Sequence, residues 1–290
     1  MSFLEYDGFN DNKMKFTGER YLPEQSGQIE IEHLNRYYFA LNQIDLADKI
    51  VLDLASGEGY GSSLLAQYSK HVTGIDISVE AIEYAKSKYI KNNLKFLVGD
   101  AINIPLEDHS IDVVVSFETL EHHDKHKEMI DEIKRVLKSE GILIMSSPDK
   151  YYYSDLPKYV NEFHVKELYY EEFKYLITSY FKKTYFFGQN IFIGSVITSD
   201  ATESEYRKPL IVENNGNTFE FTPIYNVAIG TDSPIYYPKY QQVLYKGSDD
   251  FVTKEDINLA VKAVRNSKSY KIGNSIIAPF RLLKRFLFNK

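Results

Sequence analysis

Between Lys49 and Thr198, short runs of β-branched and aliphatic residues alternate with longer segments whose apolar positions recur every three to four residues. That alternation predicts a mostly parallel sheet flanked by helices. The runs predict seven strands: Ile50–Leu54, Val72–Ile77, Lys95–Val98, Ile111–Phe117, Ile142–Ser146, Lys183–Gly188 and Ile191–Thr198. Helical spacing marks His33–Ile44, Ser62–Tyr68, Val79–Tyr89, Lys127–Leu137 and Val165–Phe181, with Gly141 as a stop signal after the fourth. The last two strands are separated only by Gln189-Asn190, so they are expected to pair as an antiparallel hairpin at one edge of the sheet.

After Asp200 the pattern changes. Glu213–Asn217 reads as a turn, Phe219–Ile229 as one or two strands, and Asp250–Arg265 as a helix, with Pro223, Pro234 and Pro238 punctuating the rest. The expected organisation is an N-terminal lid segment over residues 1–32, a ligand-binding domain over 33–199 and an accessory region over 200–290.

Composition narrows the chemistry. Among 290 residues there is no cysteine, which excludes disulfides, a thiolate nucleophile and a Cys-ligated zinc. No run approaches the roughly 18 apolar residues of a membrane span, and the first residues lack a basic start followed by an apolar stretch, so a cytoplasmic protein is expected. The formal net charge is −7, but eight cations and no acid follow Asp256, leaving −15 on the rest. An acidic body without a basic groove disfavours nucleic acid as a partner.

The segment Asp53-Leu54-Ala55-Ser56-Gly57-Glu58-Gly59-Tyr60-Gly61 predicts a strand entering a glycine-rich turn before a helix, with Gly57, Gly59 and Gly61 letting backbone pass close beneath a ligand. The acid at the strand end and the spacing of the glycines depart from a dinucleotide fingerprint and from a P-loop. Asp53 suits a cationic group. Asp76 closes the second strand, where a carboxylate accepts from ribose hydroxyls, and Asp100 follows the third, within reach of an adenine amine. Three acids at three successive strand ends describe a nucleoside bearing positive charge, and S-adenosylmethionine is such a ligand.

At these residues, with Phe117-Glu118-Thr119-Leu120-Glu121-His122 and Arg135–Gly141, the chain resembles the class I S-adenosylmethionine-dependent methyltransferases of the type 11 or 23 branch. The resemblance covers roughly Thr17 to Thr198 and implies a Rossmann-like α/β fold. It implies that the Asp53–Gly61 loop, with Ala55, Gly57 and Gly59, holds the methionine moiety. It places Asp76 on the ribose, Ile77 on an adenine face, Asp100 and Ala101 on the adenine edge, and Phe117 in the same cofactor pocket. Phe16-Thr17-Gly18-Glu19-Arg20-Tyr21-Leu22-Pro23 looks like the lid of such enzymes, Arg20 then pairing with the cofactor carboxylate or else lying on a surface arm.

Glu118, Glu121 and His122 stand at i, i+3 and i+4 beyond the fourth strand, so one helical turn would aim all three to one side, and His164 follows the fifth strand. Two carboxylates and two imidazoles suit Mg²⁺, Mn²⁺, Fe²⁺ or Zn²⁺. The spacing is similar to that of metal-dependent small-RNA 2′-O-methyltransferases and, in its first part, to ubiquinone-pathway O-methyltransferases. Three readings stand together: a metal site, His122 or His123 as a metal-free base, and an architectural role. His123 and His126 are expected on a solvated helix face.

Tyr151-Tyr152-Tyr153 offers either a sugar-stacking rim or packing, and the basic apolar tail Ile276–Phe288 either a membrane-surface or partner contact or packing on the protein's own body. The whole combination, including Asn161-Glu162-Phe163-His164-Val165-Lys166-Glu167-Leu168 and a tail of this type, resembles methyltransferases of bacterial surface-polysaccharide assembly. That resemblance implies O-methylation of a sugar or another capsule or lipopolysaccharide precursor, with the tail at the inner membrane surface or on a glycan-assembly partner. The residues leave open another small hydroxylated or phosphorylated acceptor, a nicotinamide-dependent oxidoreductase, and a cofactor-binding scaffold without turnover.

Overall fold

In the computed structural model the described residues are 28–192, 194–199, 210–212, 218–220, 223–240 and 242–245. In chain order they form α1 (Gln28–Gln43), β1 (Ile50–Leu54), α2 (Tyr60–Leu65), β2 (His71–Asp76), α3 (Val79–Lys88), β3 (Leu94–Val98), β4 (Ile111–Ser116), α4 (His126–Val136), β5 (Leu137–Pro148) and α5 (Tyr170–Thr178). These are followed by β6 (Lys183–Phe192), β7 (Gly194–Ser199), β8 (Leu210–Val212), β9 (Thr218–Glu220), β10 (Tyr225–Thr231) and β11 (Gln242–Tyr245). Arg20, the Asp250–Arg265 helix and the Ile276–Phe288 tail lie outside the described residues.

The apolar runs form strands because their alternate residues serve two faces that are both covered. Val51, Val113, Val115, Ile142, Ile144, Val227 and Ile229 pack with Tyr37, Phe39 and Ala40 of α1 and Leu65 of α2. Leu52, Leu54, Val114, Leu143, Met145 and Ala228 pack on the opposite face with Met129, Ile130 and Ile133 of α4 and Phe173 and Ile177 of α5. This is the expected α/β architecture.

Nine strands join in the order β11-β7-β6-β10-β5-β4-β1-β2-β3, where seven were expected. The pairs β2·β3, β1·β2, β1·β4 and β4·β5 are parallel; β5·β10, β10·β6, β6·β7 and β7·β11 are antiparallel. The expected hairpin forms, but β6 continues through Gln189 and Asn190 to Phe192, so those residues lie in the strand and not in its turn. Gln189 tolerates burial there because its amide oxygen accepts from Arg36 Nε at 2.8 Å and its nitrogen donates to the Glu32 carbonyl at 3.0 Å. β11 covers the hairpin's outer side, so it is not the sheet edge.

The larger difference concerns β10. Tyr225–Thr231 falls in the expected accessory region, yet it is inserted between β5 and β6 and every one of its residues is buried. The sheet therefore draws on residues beyond 199. β8 and β9 make a separate two-stranded ladder. Gly141 does not stop the chain at α4: Leu137 enters β5 directly, and the extra residues between it and Ile142 bulge out of register with β4.

Candidate functional site

The carboxyl ends of β1, β2, β3, β4 and β5 meet at the point where strand order reverses between β1 and β4, the place where open α/β sheets bind ligands. β1 leaves through Ala55 (φ 62°), Gly57 (φ 55°) and Gly59 (φ 92°), all left-handed. Gly57 faces open space, with nothing within 4 Å of a Cβ placed there. A Cβ on Gly61 would overlap the Tyr37 ring, so this glycine serves packing beneath the turn and not a ligand above it.

That packing brings the Tyr37 hydroxyl to Asp53. Tyr37 Oη donates to Asp53 Oδ1 at 3.1 Å and Ser62 Oγ donates to Oδ2 at 2.6 Å, joining α1, β1 and α2. Asp53 is buried under the loop, and burial pushes its carboxyl up to about 6, against the lowering effect of these two hydroxyls. Its carboxylate is thus enclosed by protein.

Asp76 holds the loop from the side. Oδ2 accepts from Gly57 N–H at 2.9 Å and Oδ1 from Ser78 N–H at 2.8 Å. The next side chain, Ile77, is 67% exposed and offers an apolar face beside it. Asp100 closes a turn after β3, accepting from Ile102 N–H at 3.1 Å, and Ala101 is half-buried against the core. Phe117 follows β4 and meets Tyr37 edge-on at 5.1 Å between ring centroids.

Glu118 (φ 49°) is left-handed, which costs a residue with a side chain roughly 1–3 kcal/mol. Two neighbours hold it. Its N–H donates to Ser146 Oγ at 3.3 Å and that hydroxyl donates back to Oε1 at 2.6 Å, while Arg36 Nη2 stands 3.5 Å from the same oxygen. Because Glu118 is left-handed and only a short 3₁₀ turn, Leu120–His122, follows, the single helical turn expected for Glu118, Glu121 and His122 does not form. Glu118 is drawn back toward β5 and α1, and the expected four-residue set becomes three.

Those three are Glu121, His122 and His164, each offering a ligand atom within 4.8 Å of the others. Glu121 is buried, and burial together with the Glu118 charge pushes its carboxyl well above the usual range. Its Oε1 has no hydrogen-bond partner among the described residues and its Oε2 accepts from Ser147 at 3.4 Å. His122 Nδ1–H donates to the Phe163 carbonyl at 3.1 Å, and His164 Nδ1–H donates to Glu167 Oε1 at 2.6 Å. In the neutral rings both lone pairs therefore sit on Nε2, that of His164 accepting from Asn161 Nδ2 at 3.0 Å. Val165 and Lys166 N–H groups both donate to the Glu121 carbonyl, binding the 161–167 loop over the turn in place of the helical start expected at Val165.

His126, expected in solvent, is buried in α4, and His123 lies against Met129 Sδ at 3.3 Å. Of the three tyrosines, Tyr151 and Tyr152 are exposed, whereas Tyr153 stacks on His164 with centroids 5.3 Å apart. Sequence reasoning missed Tyr37, Ser62, Arg36 and Glu167 as supports of this site. The signal for Arg36 and Tyr37 was faint: a cation and a polar aromatic side by side on the core face of α1. Two cavities of about 660 and 550 Å³ lie at the opposite, amino end of the sheet and involve none of these groups.

Residues 52–145 match the sequence family described as Methyltransferase domain. A Mycobacterium tuberculosis protein named "Probable S-adenosylmethionine-dependent methyltransferase" is 32% identical over 165 residues, which cover 53% of this chain and 56% of that protein. A phthiotriol/phenolphthiotriol dimycocerosates methyltransferase of the same species is 32% identical over 120 residues, 41% of this chain and 44% of its own. The chain thus spans about half the length of these relatives. An S-adenosylmethionine-dependent methyltransferase from Thermotoga maritima shares the fold with a TM-score of 0.51 at 19% identity, over 70% of this chain and 91% of that one. Across residues 52–145, then, the chain is similar to a methyltransferase domain, and over 165 residues to a relative named as S-adenosylmethionine-dependent.

Proposed function

We propose that the protein transfers the methyl group of S-adenosylmethionine to a hydroxyl oxygen, on a sugar or another precursor of a surface glycan. The observation that carries the reading is the cluster of Glu121, His122 and His164 beyond the carboxyl end of β4, at the same edge of the sheet as the loop after β1. The relative named for a triol acceptor supports oxygen as the receiving atom.

Adenosine would lie along the ends of β2 and β3, its ribose at Asp76, its adenine against Ile77 and near Asp100 and Ala101, and its methionine part over Ala55, Gly57 and Gly59 beside Phe117. Catalysis is then mainly alignment of the acceptor oxygen in line with the methyl and sulfur. His122 Nε2 carries the lone pair that takes the hydroxyl proton, its ring orientation set by the Phe163 carbonyl. Exposed Tyr151 and Tyr152 provide faces on which a sugar ring can stack.

Glu121, His122 and His164 also suit a divalent cation. The buried Glu121 oxygen that lacks a partner among the described residues and the Nε2 of His122, joined by that of His164 once Asn161 Nδ2 turns away from it, form a donor set of the kind seen around catalytic metals, with both rings oriented through Nδ1. Such a cation would lower the pKa of an acceptor hydroxyl. The basic tail after Asp256 supports contact with an anionic membrane surface where such precursors are assembled.

The test is incubation of the full chain with methyl-labelled S-adenosylmethionine and extracted nucleotide-sugar and lipid-linked glycan pools. A labelled product whose methyl resists amide-type and ester hydrolysis, as an ether does, supports the reading. Cofactor binding with label in no extract overturns it in favour of a scaffold.

A further inference from the structure

The strand order gives a bound nucleoside a direction. β3, β2 and β1 lie on one side of the reversal and β4 and β5 on the other. With adenosine at the ends of β2 and β3, the sulfur-bearing end of the cofactor extends toward β4, where Glu118 follows Phe117. We propose that Glu118 is the carboxylate that reads the sulfonium charge, and that Arg36 is the residue that positions it. This rests on the cofactor reading above.

The acids at the ends of β1 and β2 are committed elsewhere. Asp53 is enclosed by Tyr37 and Ser62, and Asp76 spends both oxygens on backbone N–H groups. Glu118 keeps 17% of its side-chain surface open. It is also held in a left-handed backbone by Ser146, and such a conformation persists only where its surroundings over-determine it.

Arg36 supplies the remaining restraint. It is 1% exposed, its Nε donates to Gln189, and its guanidinium lies 4.4 Å over the Tyr225 ring. Nη1 and Nη2 make no hydrogen bond among the described residues, and Glu118, 3.5 Å away, acts on the guanidinium charge more strongly than Glu32 does. Arg36 is buried in α1 and Glu118 is the member of the pair with open surface. A cation in the crevice therefore meets the carboxylate at contact distance and the guanidinium only farther off, where its repulsion is weaker. The arrangement distinguishes the cationic methyl donor from S-adenosylhomocysteine, whose sulfur is neutral, and so favours release of the spent cofactor.

Calorimetric titration of the full chain with S-adenosylmethionine and with S-adenosylhomocysteine tests this. Glu118→Gln should weaken the donor about tenfold and the product less than about twofold, the loss expected for one charge-assisted contact. Arg36→Met should shift the same ratio, Arg36→Lys should restore most of it, and the double variant Arg36→Met, Glu118→Gln should be no worse than Glu118→Gln alone. Equal losses for both ligands, or additive losses in the double variant, would overturn the proposal, because a merely structural role lowers both affinities together. Tight binding of neither ligand by the unaltered chain would instead overturn the cofactor reading.

Discussion

His164 and Glu167 face each other across 2.6 Å, Nδ1 to Oε1, on a loop whose next two backbone N–H groups bind the Glu121 carbonyl. The carboxylate fixes which nitrogen of the ring carries the proton. If the three-residue cluster holds a divalent cation, Glu167→Ala should weaken Mn²⁺ binding by about 10- to 100-fold, the usual effect of removing the support of a ligating imidazole. Titration of Mn²⁺ followed by electron paramagnetic resonance checks this; unchanged affinity would remove Glu167 from the site.

Glu118 and Glu121 should separate under the same measurement. Glu121→Gln should abolish Mn²⁺ binding, and Glu118→Gln should leave it within about twofold, since only Glu121 shares the cluster with His122 and His164. Chelator added to the turnover assay should stop the unaltered enzyme. Full activity in chelator, with loss in His122→Ala, would establish His122 as a base acting alone.

Asp53 predicts a pH dependence of stability. Its folded carboxyl sits at about 6, above the ordinary 3.8, so the folded chain binds this proton more tightly than the unfolded chain. The stabilisation is complete below the unfolded value and is lost as pH rises from about 4 to 6. A shift of about two units corresponds to roughly 3 kcal/mol. Asp53→Asn should flatten that part of the stability profile in urea titrations at successive pH values, and an unchanged slope would assign it to other groups.

Gly61→Ala should lower the melting temperature markedly. The added methyl overlaps the Tyr37 ring, and overpacking of this kind costs about 1–3 kcal/mol or more. Gly57→Ala meets no atom, so its smaller cost arises from the left-handed backbone alone, and calorimetry should rank the two in that order.

Deleting residues 274–290 should abolish co-sedimentation with vesicles containing anionic phosphatidylglycerol and leave binding of S-adenosylhomocysteine intact. Retained co-sedimentation would place membrane contact elsewhere on the chain.

Much of this protein was legible in its sequence because the relevant residues are neighbours along it. The apolar runs of β1 to β5, the turn from Asp53 to Gly61, and the acids at Asp76 and Asp100 each follow from local spacing, since a strand end and the loop after it must lie together. Tertiary structure alone decided the rest. Tyr225–Thr231 enters the sheet between β5 and β6 because hydrogen-bonding edges were available there, a fact no local pattern records. Glu118 parts from Glu121 because Ser146 and Arg36, far away in sequence, hold its carboxylate, and His164 joins His122 because the 161–167 loop folds back on the turn. Spacing dictates which side chains can share a face; the partners that satisfy a buried charge come from whichever elements the packing brings near.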